Sequence, residues 1–179
     1  MKKIINFGTM AIIIAMILSV SVVSCVPEPD GDSDKNPVTP EIVSGIASFG
    51  VKISDGILSM YDLTAVIKLD DQVVEETITD TIWNKQIDFD KNHPSKISCH
   101  VYGKVKDPFP EISSSLVKIS TSYNHSLNIT HSDGKGTNLS PSYDAGYTSS
   151  TMSISSKKVP EYIEKYPIKD IMKVEYEIK

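Results

Sequence analysis

Three stretches of this chain alternate apolar and polar residues at every second position. That period constrains the backbone more than any other feature of the sequence. In residues 61–69, Tyr61, Leu63, Ala65, Ile67 and Leu69 share one parity, and Asp62, Thr64 and Lys68 the other. In residues 96–106 the apolar set is Ile97, Cys99, Val101, Gly103 and Val105, opposed by His100, Tyr102, Lys104 and Lys106. At the C-terminal end Met172, Val174, Tyr176 and Ile178 alternate with Lys173, Glu175, Glu177 and Lys179. A helix scatters positions i, i+2 and i+4 around its surface, whereas a strand places them on one face. One-sided alternation predicts antiparallel sheets with one face packed and one wet.

The intervening residues supply the punctuation. Asp70-Asp71 reads as a turn, with residues 72–83 returning as a hairpin partner. Asp107-Pro108-Phe109-Pro110 ends a strand, because proline cannot donate to a ladder. Val117, Ile119, Thr121 and Tyr123 alternate again, and Leu127 and Ile129 continue after an expected turn or bulge at Asn124-His125. Residues 132–150 read as a long polar, turn-rich loop. Pro160 can open a helix, residues 161–166 supply about two turns, and Pro167 stops it. Seven or so strands in this length predict an all-β, Ig-like antiparallel β-sandwich with one short helix before the last strand; a small β-barrel is the alternative. The antibody-type Cys–Trp–Cys core is absent, so this expectation rests on strand count and patterning.

The N-terminal segment has a different logic. Lys2 and Lys3 precede a nearly uncharged apolar run over residues 4–23, followed by Ser24 and Cys25. A membrane-spanning helix competes for these residues, since about 20 apolar residues can cross a bilayer. No basic cluster follows the run, and the layout is that of a secretory leader. Val22-Val23-Ser24-Cys25 closely resembles the lipobox of bacterial lipoproteins. The resemblance implies cleavage between Ser24 and Cys25, a diacylglyceryl thioether on Cys25, and acylation of its new amino group. Several acyl chains hold stably where one is marginal, so the expected partner is a membrane, reached through the lipid and not spanned. The expected organisation is a leader over residues 1–24, a lipidated cysteine with an acidic Pro-rich tether over 25–41, and a domain over 42–179. The run Glu28, Asp30, Asp32 and Asp34 resembles the export signal of Bacteroidota surface lipoproteins, which implies an outer-membrane, outward-facing location.

Composition narrows the partners. Without the leader the chain carries 16 lysines, no arginine and 23 acidic residues, a net charge of −7. Such a chain repels phosphate backbones, so nucleic acid is not expected as a partner. Without the arginine fork, any anion site must use lysine or backbone amides. With Cys25 committed to lipid, Cys99 stands alone, and a disulfide within the domain is not expected.

No catalytic constellation emerges. His93, His100, His125 and His131 lack tight ligand spacing, so no metal and no cofactor are expected. Asp88-Phe89-Asp90 opens like a calcium loop, but His93 takes the glycine position and Cys99 that of the terminal glutamate. Cys99 sits between Ile97 and Val101 on an inward face, where a thiol is a small hydrophobe. Glu75-Glu76 fall on opposite sides of a strand and do not converge. Trp83 is expected in or near the core. The expectation is a protein that is not an enzyme. Tyr143 and Tyr147, in the segment read as a loop, are the candidate ligand-binding residues, offering flat apolar faces with polar tips of the kind sugars stack on. Asp80-Thr81-Ile82 resembles the Bacteroidota O-glycosylation pattern and marks Thr81 as a modification candidate. The whole is similar to Bacteroidota lipoproteins with a lipobox, an acidic tether and one β-sandwich. The resemblance carries no activity with it; the anchor, tether and sandwich together point to a surface module binding a glycan or an envelope partner, and the alternative is a structural or pilus-associated assembly component.

Overall fold

The computed structural model describes residues 39–146 and 148–179. The leader, Ser24, Cys25, the tether to residue 38 and Tyr147 lie outside the described residues. The elements in order are β1 Ile42–Ile53, α1 Asp55–Met60, β2 Tyr61–Leu69, β3 Gln72–Ile78, β4 Ile82–Asp90, β5 Lys96–Val105, β6 Leu116–His131, β7 Gly136–Leu139, β8 Tyr143–Gly146, β9 Ser149–Ser155, α2 Val159–Lys165 and β10 Ile168–Glu177. A 3-10 turn over Ser156–Lys158 leads into α2. The described residues thus hold ten strands where the sequence suggests about seven.

These strands make two antiparallel sheets packed as a sandwich, with the short helix α2 immediately before the last strand and no closed barrel. The first sheet runs β4-β1-β6, and the far edge of β6 is shared by β9 and β7. The second runs β3-β2-β5-β10-β8. Ala47, Phe49, Val51, Val117, Ile119, Leu127 and Ile129 face inward from the first sheet; Tyr61, Leu63, Ala65, Ile67, Ile97, Cys99, Val101, Val174 and Tyr176 face inward from the second. Phe49 meets Tyr176 across the gap with ring centroids 6.5 Å apart. Both short helices lie where the chain changes sheet, and each contributes to the core: Ile57 and Met60 from α1, Val159 and Tyr162 from α2. Among the described residues no helix is long and apolar enough to cross a membrane.

Several expectations change in detail. Residues 72–83 are not one strand: β3 ends at Ile78, residues 79–81 cross over, and Trp83 belongs to β4 in the other sheet. The parity explains the break. In β3 the even positions Glu76 and Ile78 are the covered ones, whereas in β4 the odd positions Trp83, Lys85, Ile87 and Phe89 are. No turn or bulge interrupts Asn124-His125. The odd-numbered face runs unbroken through β6, and its register with β1 is continuous from Ile53↔Thr121 to Ser44↔Thr130. Residues 132–150 form β7, β8 and the start of β9 rather than a single loop, with Gly134 at φ 79° in the turn before β7. Six-residue α1 was not anticipated; its two buried residues are too few for a periodic signal.

The open edges of both sheets, β4 and β3, are tied together by one carboxylate. Glu76 accepts a hydrogen bond from Trp83 Nε1 at 3.1 Å and an ion pair from Lys85 Nζ. Inward-pointing charge of this kind discourages edge-to-edge pairing with other chains. Lys85 and the indole hold the Glu76 carboxyl below the usual range.

Two outcomes follow. A Cβ on Gly103 would lie 2.6 Å from Leu63 Cδ2 and 2.9 Å from Tyr61 Cβ, whereas one on Gly136 meets only the Ile129 carbonyl at 3.8 Å. Gly103→Ala is expected to cost about 1–3 kcal/mol by overpacking, and Gly136→Ala close to nothing, read from urea midpoints at unchanged m-value. The Glu76 carboxyl is depressed in the folded state, so its contribution to stability is present above the ordinary glutamate range and lost as pH falls through the lowered value. The stability gap between the parent chain and Glu76→Gln should therefore shrink on acidification; a gap that widens would contradict this.

Candidate functional site

The outer face of the second sheet forms a lattice set by strand register. One transverse row reads Lys68, Ser98, Glu175 and Tyr143, from β2 through β5 and β10 to β8. The adjacent row reads Val66, His100, Lys173 and Ala145. Ser98 and Ala145 are short, and long side chains surround them. The result is a shallow trough of about 480 Å³ whose walls include Lys68, Lys96, His100, Lys173 and Glu175. Its floor includes Cys99 and Val174, whose side chains are buried on the other side of the sheet.

Charges around the trough are unevenly satisfied. Lys96 Nζ pairs with Glu175 at 2.7 Å, and His100 Nε2 lies 2.8 Å from Asp170 Oδ1. Asp70, at the end of β2, accepts the Ser95 hydroxyl at 2.7 Å and the Lys96 amide at 2.9 Å, and these bonds hold its carboxyl below the usual range. Lys173 Nζ sits 5.4 Å from the Tyr143 ring centroid, a cation–π contact. Among the described residues, neither Lys68 nor Lys173 takes part in an ion pair. Glu75 on β3, opposite Val66, is exposed and lies outside the trough lining.

Tyr143 does not line the trough but stands at its rim, beside Lys173 and paired with Glu175, 47% exposed, on a four-residue edge strand rather than in a loop. Tyr147 lies outside the described residues, so the two tyrosines cannot be placed together; the same holds for Ser24 and Cys25. Thr81 occupies the crossover between β3 and β4, half-buried, with its carbonyl accepting the Ile53 amide at 2.9 Å. Cys99 is fully buried, and burial pushes its thiol up to about 12. Asp88 and Asp90 lie on β4, and Asp90 caps the following turn by accepting the Asn92 amide. Trp83 is partly buried against the core. Among the described residues no group of three or more His, Cys, Asp or Glu side chains could hold a metal ion.

The histidines divide by role. His93 contacts the Pro94 carbonyl, and His131 contacts Thr137 and the Pro40 carbonyl. His125, in mid-strand, joins a polar chain between the sheets. Its Nδ1 lies 2.6 Å from Tyr176 Oη and its Nε2 lies 3.2 Å from Asp144 Oδ2, while Tyr123 Oη donates to Asp144 Oδ1 at 2.6 Å. An ionised Asp144 only accepts, so Nε2 carries a proton; in the neutral ring Nδ1 then accepts from the Tyr176 phenol. Burial and the Asp144 charge push Tyr176 up to about 12, so it stays a donor. This chain fastens the short edge strand β8 to β6 and thereby holds Tyr143 beside Lys173.

Sequence reasoning identified Tyr143 but not the lysines, Ser98 and His100 that accompany it. The signal was present, since the polar parity of residues 96–106 and 173–179 lists half of the trough. What the pattern lacks is which strands are neighbours.

Tyr176→Phe leaves His125 Nδ1 without its donor, and is expected to cost about 1–3 kcal/mol in chemical denaturation at neutral pH, against near zero for the rim substitution Tyr143→Phe. No family model, no curated protein and no solved structure matches this chain.

Proposed function

We propose that this protein is a non-catalytic module, anchored through lipid on Cys25 to the bacterial outer membrane and facing outward, that binds a glycan. The observation that carries the binding reading is the trough on the second sheet, with ammonium, hydroxyl and imidazole groups at Lys68, Ser98, His100 and Lys173, and an aromatic rim at Tyr143. Sugars present hydroxyls to such groups and apolar ring faces to an aromatic edge. Glu175 is held by Lys96 and His100 by Asp170, so neither is poised as a base beside a nucleophile, which supports binding over catalysis. The lipobox and the acidic run after Cys25 support the location. Thr81, at the crossover between sheets, is proposed as an O-glycosylation site.

The other reading, assembly through an exposed strand, would use β3 or β4. Their lengths, seven and nine residues, favour it. The Lys85–Glu76 pair pointing into that edge weighs against it.

Two readouts test the proposal. Palmitate fed to cells should label the parent chain and not Cys25→Ala; a label that survives the substitution removes the anchor. Glycan arrays probed with the mature protein in detergent should show binding that weakens in Tyr143→Ala. An array with no bound glycan overturns the binding reading.

A further inference from the structure

We infer that the glycan is acidic, and that Lys68 and Lys173 together read negative groups repeated along it. This deepens the reading above and rests on it. The chain is acidic overall, yet this face holds two ammonium groups without an acidic partner among the described residues. The carboxylates that line the trough are already engaged. Glu175 pairs with Lys96, and Asp70 accepts from the Ser95 hydroxyl and the Lys96 amide. A neutral ligand would leave Lys68 solvated and Lys173 over the Tyr143 ring, both without a counter-charge. An anionic one gains two charge-assisted contacts without displacing any existing pair.

Geometry sets the ligand's form. Lys68 is on β2 and Lys173 on β10, with β5 between them. Two strand spacings across the sheet and a two-residue step along it separate their backbones, about 12 Å in all. Side chains stand roughly perpendicular to a sheet, so upright lysines keep that separation, which matches charges carried on successive units of a chain. The floor between them is Ser98 and sheet backbone. Backbone donors and acceptors there are spent in the β2–β5 and β5–β10 ladders, so an extended peptide finds no partner for its own amides on this face. A polysaccharide needs only side chains, and Ser98, His100 and Tyr143 supply them. At physiological salt the screening length is about 8 Å, so the two lysines act nearly independently and their effects should add.

The experiment is affinity electrophoresis of the mature protein in detergent through gels containing polygalacturonate, the same polymer fully methyl-esterified, or dextran. Polygalacturonate should retard the protein and the ester should not, and retardation should fall as salt rises. Lys68→Ala and Lys173→Ala should each weaken binding about two- to fivefold, and the pair about as the product of the two. Lys68→Arg and Lys173→Arg should keep it, and Lys118→Ala, on the other sheet, should change nothing. Equal retardation by acid and ester, or by dextran alone, overturns the acidic ligand and leaves glycan binding standing. Retardation by polygalacturonate that ignores both lysines overturns the site. A protein retarded by none of the three while the arrays are positive overturns this inference alone; blank arrays as well take the binding reading with it.

Discussion

Burying Ile97, Cys99 and Val101 forces Lys96, Ser98 and His100 onto the opposite face of the same strand, and most of this structure follows from that coupling. A strand cannot choose its two faces separately, because the side-chain period is two. Strand β10 obeys the same constraint: Val174 and Tyr176 go in, and Lys173 and Glu175 go out. The core and the trough are therefore two sides of one register. A slip of one residue in the β5–β10 pairing would expose Cys99 and bury His100 together. The apolar core thus fixes the lateral order of the polar groups above it without touching them.

The two flanks of the sandwich are closed in different ways. Toward β3 and β4 the strands are long, and the edge is guarded by an inward ion pair and an indole donor converging on Glu76. Toward β7 and β8 the strands are short, four residues each, and polar side chains take over part of the work of the ladder. The chain of Tyr176, His125, Asp144 and Tyr123 joins β10, β6 and β8. Strand β8 pairs with β10 over only four residues, so these side-chain bonds are a large share of what holds it. Because Tyr143 precedes Asp144, the polar chain also sets where the aromatic rim of the trough stands. Fold and candidate site share this joint.

The legible and illegible parts of the fold separate by range. Strands β2, β5 and β10 were readable residue by residue, since each alternates cleanly over its own length. Helix α2 was readable from Pro160 and Pro167. The division of residues 72–83 was not read correctly, although a parity change between Ile78 and Trp83 records it; the polar residues 79–81 also fit a continuous hairpin arm. The turn expected at Asn124-His125 came from two polar residues in an apolar series. The structure shows why they stay in the strand: His125 occupies an inward position but finds Tyr176 and Asp144 there. A buried polar side chain with partners mimics a turn signal when read alone. Strands β7 and β8 escaped because four residues carry no period.

Local chemistry written along the chain thus determined strands β2, β5 and β10, their two-faced pattern and the burial of Cys99. Each of these depends on residues within a few positions of one another. Tertiary structure alone decided which strands lie side by side, and so brought Lys68, Ser98, Lys173 and Tyr143 together from four separate strands. Neighbour choice is settled by how the whole apolar set packs between two sheets, a property of all the strands at once that no single segment carries.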